Sequence, residues 1–350
     1  MILLPTPRVT CTWKQGGTST LRQASSAVMK KRGFSGYGRN MQNFGPGELP
    51  IVIPDPDHVF LQVDQSGAEA YIVAMLTPPG GNFRKLFTNR IKPHVYVAMH
   101  PFASVWQRRL PAIDMERFLL ADIDHLKGLK GWKELEKLIK ASDHWPARER
   151  YYFIAKCCCH SLNYDATAYS LQMSILTRSE GKVSISVKQA DAYWTMYRSL
   201  FPEIPKWHTV VHGQLKSTRT LRNLFGYPRY FTGSFNDSQF LKEAYAFIPQ
   251  STVGTITNIA FTRLQDHVER TGMDLDLLNN KHDSILVQVP RRRKEIMDAA
   301  RLLTEVINME MKSPFGETFN MRSEIQIGRN WGHRSKENPE GLRELVIKDL

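Results

Sequence analysis

Two aspartates, Asp64 and Asp283, stand in this 350-residue chain where an apolar run meets a turn. Carboxylates presented at strand ends on one sheet suit two-metal phosphoryl transfer, in which one ion activates a hydroxyl and both offset the charge that builds on phosphorus. Neither acid carries that chemistry singly, since an Asp beside a helix start is commonly an N-cap or turn residue. A second constellation is Lys156, His160 and Tyr164. Their four-residue spacing puts a cation, a ring and a phenol on one helix face, which fits a nucleotide and equally fits a solvated basic helix with packed aromatics. Ser66-x-x-Glu69 has the spacing of a capping box at the start of the helix that follows Asp64.

The elements that must position these residues are legible as periodicities. An apolar run from Val59 to Val63 ends at Asp64, and apolar residues then recur at helical spacing from Ala68 to Leu76, so the acid falls at a strand-to-helix joint. Residues 77–145 read as mostly helical and heavily charged between Leu110 and Lys140. Pro146 suits the first turn of a helix running through Lys156 towards Ser161. Val187 to Leu200 is amphipathic, and Ser251 to Val268 reads as a long apolar helix. The runs around Leu275 to Leu278 and Ile285 to Val289 predict a hairpin joined across Asn279-Asn280-Lys281, with His282 and Asp283 at its turn.

A net charge of +13 favours a polyanionic partner, because each cation set against a phosphate releases condensed counterions. In a basic protein the paired acids read as nucleotidyl transfer. Four cysteines, three of them consecutive at Cys157, Cys158 and Cys159, make no disulfide framework. Successive helical residues point about 100° apart and cannot converge on one zinc, so the run reads as packing. No apolar stretch approaches the ~20 residues of a membrane span, and no signal peptide is evident, which predicts a cytoplasmic protein without a membrane partner.

The order of several segments carries a resemblance. Leu61-Gln62-Val63-Asp64-Gln65-Ser66-Gly67-Ala68-Glu69 resembles motif A of the family A, polymerase-I-like DNA polymerases, Lys156 to Tyr164 resembles their motif B, and Lys281-His282-Asp283-Ser284 their motif C. Thr18 to Ser26 with Asn40 to Asn43, Lys92-Pro93-His94, Phe201 to Trp207, Leu224-Phe225-Gly226 with Arg229, Ile248 to Thr252 and Gly328 to Gly332 match further family segments in family order, over about 8–331. The resemblance implies an α+β right-hand fold, a palm of antiparallel sheet with a catalytic hairpin and mostly helical fingers. Residues 1–76 and 211–333 would form the palm, 77–210 the fingers, and 334–350 a charged tail.

By the same resemblance, Asp64 and Asp283, with the main-chain carbonyl of Gln65, bind two magnesium ions, for which manganese can substitute, while a primer 3′ hydroxyl attacks the α-phosphate of a dNTP. Lys156 and His94 contact the triphosphate, His160 lies against the sugar, Tyr164 floors the nucleotide pocket, and Glu69 crowds a ribose 2′ hydroxyl. Arg22, Gln42, Asn43, Arg229, Gln250 and His282 touch primer-template DNA. Tyr152 stands where the family has an Arg, for which Arg148 is the preferred substitute, and Ser284 replaces the motif C Glu. The family's thumb and exonuclease segments have no counterpart in the sequence, which predicts a phage-type split polymerase whose upstream half is a separate polypeptide. Two alternatives are a non-catalytic DNA-binding or assembly subunit and a single-subunit RNA polymerase, the latter disfavoured by Glu69.

Overall fold

The computed structural model describes residues 11–14, 17–26, 40–45, 47–143 and 150–345. A five-stranded antiparallel sheet forms the frame of the site: β1 (His58–Gln65), β2 (Asp276–Lys281), β3 (Ser284–Pro290), β4 (Ser323–Gly328) and β5 (Arg343–Glu344), in the spatial order β5-β4-β1-β3-β2. Side chains alternate across a strand. On β1 the odd positions Val59, Leu61 and Val63 enter the main core, while Phe60 joins a smaller cluster on the opposite face with Met41, Phe44, Leu49, Leu286, Trp331 and Leu342. Gln62 shares that second face and accepts a 2.7 Å hydrogen bond from the Trp331 indole. Asp64 continues the even series, at the end of β1 where the small cluster gives out.

Helices cover the main-core face. The strand-to-helix joint at Asp64 forms as the periodicity predicts, with α1 spanning Ala68–Leu76. Its N-cap, however, is Gly67 with φ 60°, a left-handed conformation that glycine adopts without a Cβ clash, and no side chain caps the helix. The expected Ser66–Glu69 capping box is therefore absent, because Glu69 turns away to partners described below. α2 begins at Pro93 and runs to Met99. α3 spans Tyr151–Leu162, with Cys157, Cys158 and Cys159 all buried in packing. Pro146 and Arg148 lie outside the described residues.

The predicted amphipathic helix at Val187–Leu200 carries a full capping box between Ser186 and Gln189. The long helix, α4, extends further than its apolar stretch, from Ser238 to Thr271. Pro249 sits inside it and removes the ladder donor to the carbonyl four residues back. α5 (Arg293–Ile307) presents Ile296, Ala299, Ala300, Leu303, Val306 and Ile307 to the sheet as one apolar stripe. The hairpin is tighter than its sequence suggests. Asn279-Asn280-Lys281 are strand residues, not the turn, and Lys281 pairs with Ser284 across His282 and Asp283 alone. A bulge between Leu277 and Asn279 shifts the register that brings the asparagines into the ladder. Part of the expected tail also belongs to the sheet, since Arg343 and Glu344 pair with Ile327 and Gln326.

Candidate active site

The two acids meet because β1 and β3 are neighbours. Asp64 is in register with Ser284 on one side and with Glu324 on the other, and the Gln65 amide donates to the Asp283 carbonyl at 3.1 Å. Burial, then the charge of Asp283 and then that of Glu324, push the Asp64 carboxyl up to about 7. Asp283 is also raised, chiefly by burial. This is an oxygen-rich site with more negative charge than its own surroundings neutralise, the condition a hard divalent cation relieves. Among the described residues no three His, Cys, Asp or Glu side chains gather into a ready-made metal cage.

Because folding raises the Asp64 carboxyl from its ordinary range near 3.8 to about 7, the folded chain binds more protons than the unfolded one between those values. Stability contributed at this position is therefore present at low pH and lost as pH rises towards about 7. Thermal melts of the metal-free chain should show this slope, Asp64→Asn should flatten it, and magnesium at pH 8 should recover stability in the natural chain alone.

A buried hydroxyl ties the acids' two segments together. Thr257 on α4 accepts from the Gln65 side-chain amide at 2.7 Å, and its one proton faces two carbonyls at 3.1 Å, that of His282 and that of Val253 one turn back on its own helix. His282 needs such support, for its φ of 59° is uncommon outside glycine. Thr257→Val keeps the shape but strands the Gln65 amide and a turn carbonyl, and should cost about 1–3 kcal/mol of stability in denaturant titration.

Asp64 opens onto a cleft of about 860 Å³ whose walls include His94, Tyr152, Lys156, Arg322 and Glu324. His94, in the first turn of α2, packs edge-on against Tyr152 with ring centroids 5.7 Å apart. Burial, then the Lys156 and Lys92 charges, push its imidazole down to about 3, so it faces the cleft as a neutral ring. Lys156 projects from the middle of α3, its ammonium 2.6 Å from Asp143 and 4.8 Å from the Tyr152 ring centroid. His160 follows one turn later and packs edge-on with Tyr164, which lies just past the helix end.

Glu69 is the hub that joins the sequence-distant parts. Its carboxylate pairs with Arg22, accepts from the Tyr164 hydroxyl at 2.7 Å and accepts from Gln250 at 3.3 Å. Burial alone would raise this carboxyl, but the Arg22 charge and the bonds from Tyr164 and Arg22 outweigh it and hold Glu69 below the usual carboxylate range. Tyr164 is held far above the usual phenol range by burial and by Glu69, which keeps it a donor. The segment carrying Arg22 lies close on α4 at Gly254, where an added Cβ would come within 3.1 Å of Arg22 and 3.2 Å of the Thr20 carbonyl.

The residues expected to touch DNA divide by environment. Asn43 is exposed. Gln42 is buried, accepting from the Ser25 amide at 2.9 Å and donating to the carbonyls of Gln23 at 3.1 Å and Asn280 at 2.7 Å, so it braces the hairpin that carries Asp283. Arg229 pairs with Glu243 at 2.9 Å and lies over the Phe231 ring. The sequence reading missed Glu324, Asp143 and Thr257. Each matters through strand register or a tertiary contact, and nothing in its local sequence distinguishes it.

The sequence model of DNA polymerase family A fits residues 141–333, more than half of the chain. The chain belongs to family A of the DNA polymerases. As a family A member it is 26% identical to the thermostable DNA polymerase I of Thermus filiformis over 162 residues, 44% of this chain and 18% of that protein. It is 24% identical over 200 residues, 55% of the chain, to DNA polymerase I of Treponema pallidum (strain Nichols), again spanning 18% of that protein. The fold is similar to that of the POL domain of Pol1 from M. smegmatis, solved in complex with DNA primer-template and dNTP. The TM-score is 0.62 at 17% identity, covering 93% of this chain and 48% of that one. No described helix is long and apolar enough to cross a membrane.

Proposed function

We propose that this family A chain is a template-directed DNA polymerase that joins a dNTP to a primer 3′ hydroxyl at Asp64 and Asp283. The observation that carries this reading is Asp64 at a strand end, its carboxyl raised by the charge of Asp283 in the neighbouring hairpin turn, opening onto a cleft walled by Lys156 and His94. Asp64, Asp283 and the Gln65 carbonyl would hold two divalent ions, magnesium or in its place manganese, whose chemistry when bound is to activate the attacking hydroxyl and offset charge on the leaving pyrophosphate. Lys156 supplies a cation for the triphosphate, and neutral His94 a ring nitrogen for hydrogen bonding. His160 and Tyr164 border the sugar and base. Glu69, fixed by Arg22, Tyr164 and Gln250, narrows the space beside C2′. Contacts from Arg22, Asn43, Arg229, Gln250 and His282 to the duplex backbone would set position without reading sequence.

The reading extends to palm roles for the sheet and fingers roles for residues 77–210, and to a separate polypeptide that adds grip on product duplex. The test is primer extension on a defined template with magnesium, offering each dNTP and then each rNTP. Expected are templated single additions with dNTPs that stop on chelation, and longer products when the gripping polypeptide is added. Templated addition that persists in chelator would count against the metal reading, and absence of any addition against polymerase activity in this chain.

A further inference from the structure

Lys156 does not face the cleft as a free cation. Its ammonium lies 2.6 Å from the Asp143 carboxylate, thirteen residues upstream, with the Tyr152 ring beneath it. The placement of Asp143 is built. Ser142, buried at the end of the Trp132–Ala141 helix, accepts from the Tyr152 amide at 3.1 Å and donates to the Ile139 carbonyl at 2.6 Å. That clasp fastens the turn bearing Asp143 to the first turn of α3, one turn before Lys156. Asp143 is the anion paired with this ammonium among the described residues, while Lys156 and the Tyr152 ring line the cleft into which Asp64 opens.

We propose that Asp143 is a positioning residue that competes with the nucleotide's triphosphate for Lys156 and so sets the enzyme's apparent affinity for dNTP; this rests on the nucleotide role of Lys156 given above. A carboxylate and a phosphate drawn to one ammonium repel each other, so the pair with Asp143 weakens the hold of Lys156 on an entering triphosphate. The Lys156 side chain is 43% exposed and that of Asp143 22%, and a partly solvated pair of this kind is weak enough to exchange. Tyr152 suits the exchange, since a ring keeps the ammonium in place without adding charge.

The experiment is steady-state addition of dATP opposite a template thymine, with thermal melts confirming that each variant folds. Asp143→Asn and Asp143→Ser should each lower the KM for dATP by about two- to fivefold, the change lying in KM rather than kcat. Asp143→Glu should behave as the natural chain. Lys156→Ala should raise KM, and in that background Asp143→Asn should have no further effect, since the two residues act through one contact. An unchanged or raised KM in Asp143→Asn, alongside a raised KM in Lys156→Ala, overturns the proposal and leaves the nucleotide role of Lys156 standing. A natural KM in Lys156→Ala overturns both.

Discussion

Asp64→Asn is expected to reduce templated dNTP addition by a factor of about 10³ or more, and Asp283→Asn likewise, while primer-template binding is retained. The reason is the site's charge balance. The Asp64 carboxyl is pushed to about 7 by burial and by two neighbouring carboxylates, Asp283 and Glu324, so its anion is held at a cost that only a bound cation offsets. An amide of the same shape removes that cost together with the donor. The variant should thus be more stable than the natural chain at pH 8 without metal, yet inactive. Single-turnover addition and thermal melts on the same samples read both halves. Activity within tenfold of natural in either substitution would remove these acids from the chemistry. A loss of activity accompanied by a loss of stability would point to a structural role instead.

Glu69→Ala should be the most destabilising change in the site, by about 3–5 kcal/mol, because it leaves the largely buried Arg22 guanidinium without its anion. The Tyr164 hydroxyl and the Gln250 amide lose their acceptor in the same step. Glu69→Gln keeps an acceptor of the same length and should lose less. The two variants separate shape from charge in nucleotide choice. If the bulk at Glu69 excludes a 2′ hydroxyl, Glu69→Ala improves the ratio of rNTP to dNTP addition by about tenfold or more, and Glu69→Gln leaves it near natural. Equal ratios in all three proteins would refute the exclusion role, whatever the melts show.

Both predictions depend on contacts that the sequence announced unevenly. The strand-to-helix joint at Asp64 was legible because a buried strand and a helix differ in period, and the change of period falls on the acid itself. The helix at Val187–Leu200 was legible to the residue through its amphipathic pattern. The hairpin was legible in kind but not in register. Asparagine is uncommon in strands, so Asn279 and Asn280 read as a turn, yet a bulge and bonds from Gln42 to the Asn280 carbonyl and from Asn279 to the Met41 carbonyl hold them in the ladder. The capping box at Ser66 failed for a related reason. A capping preference worth about 1 kcal/mol was outweighed by the charged and hydrogen-bonded partners that draw Glu69 across to Arg22 and Tyr164.

The sequence by itself determined which chemistry is available, through two acids at element ends, a cation on a helix one turn from a ring, and a strong basic excess. Those follow from residue type and short-range periodicity. Tertiary structure alone decided how the groups are charged and who restrains them: Glu324 beside Asp64 through strand register, Thr257 bridging the segments of both acids, and Asp143 seated on Lys156. Coulomb energy and desolvation depend on separation through space and on what covers a group, and neither is a function of separation along the chain.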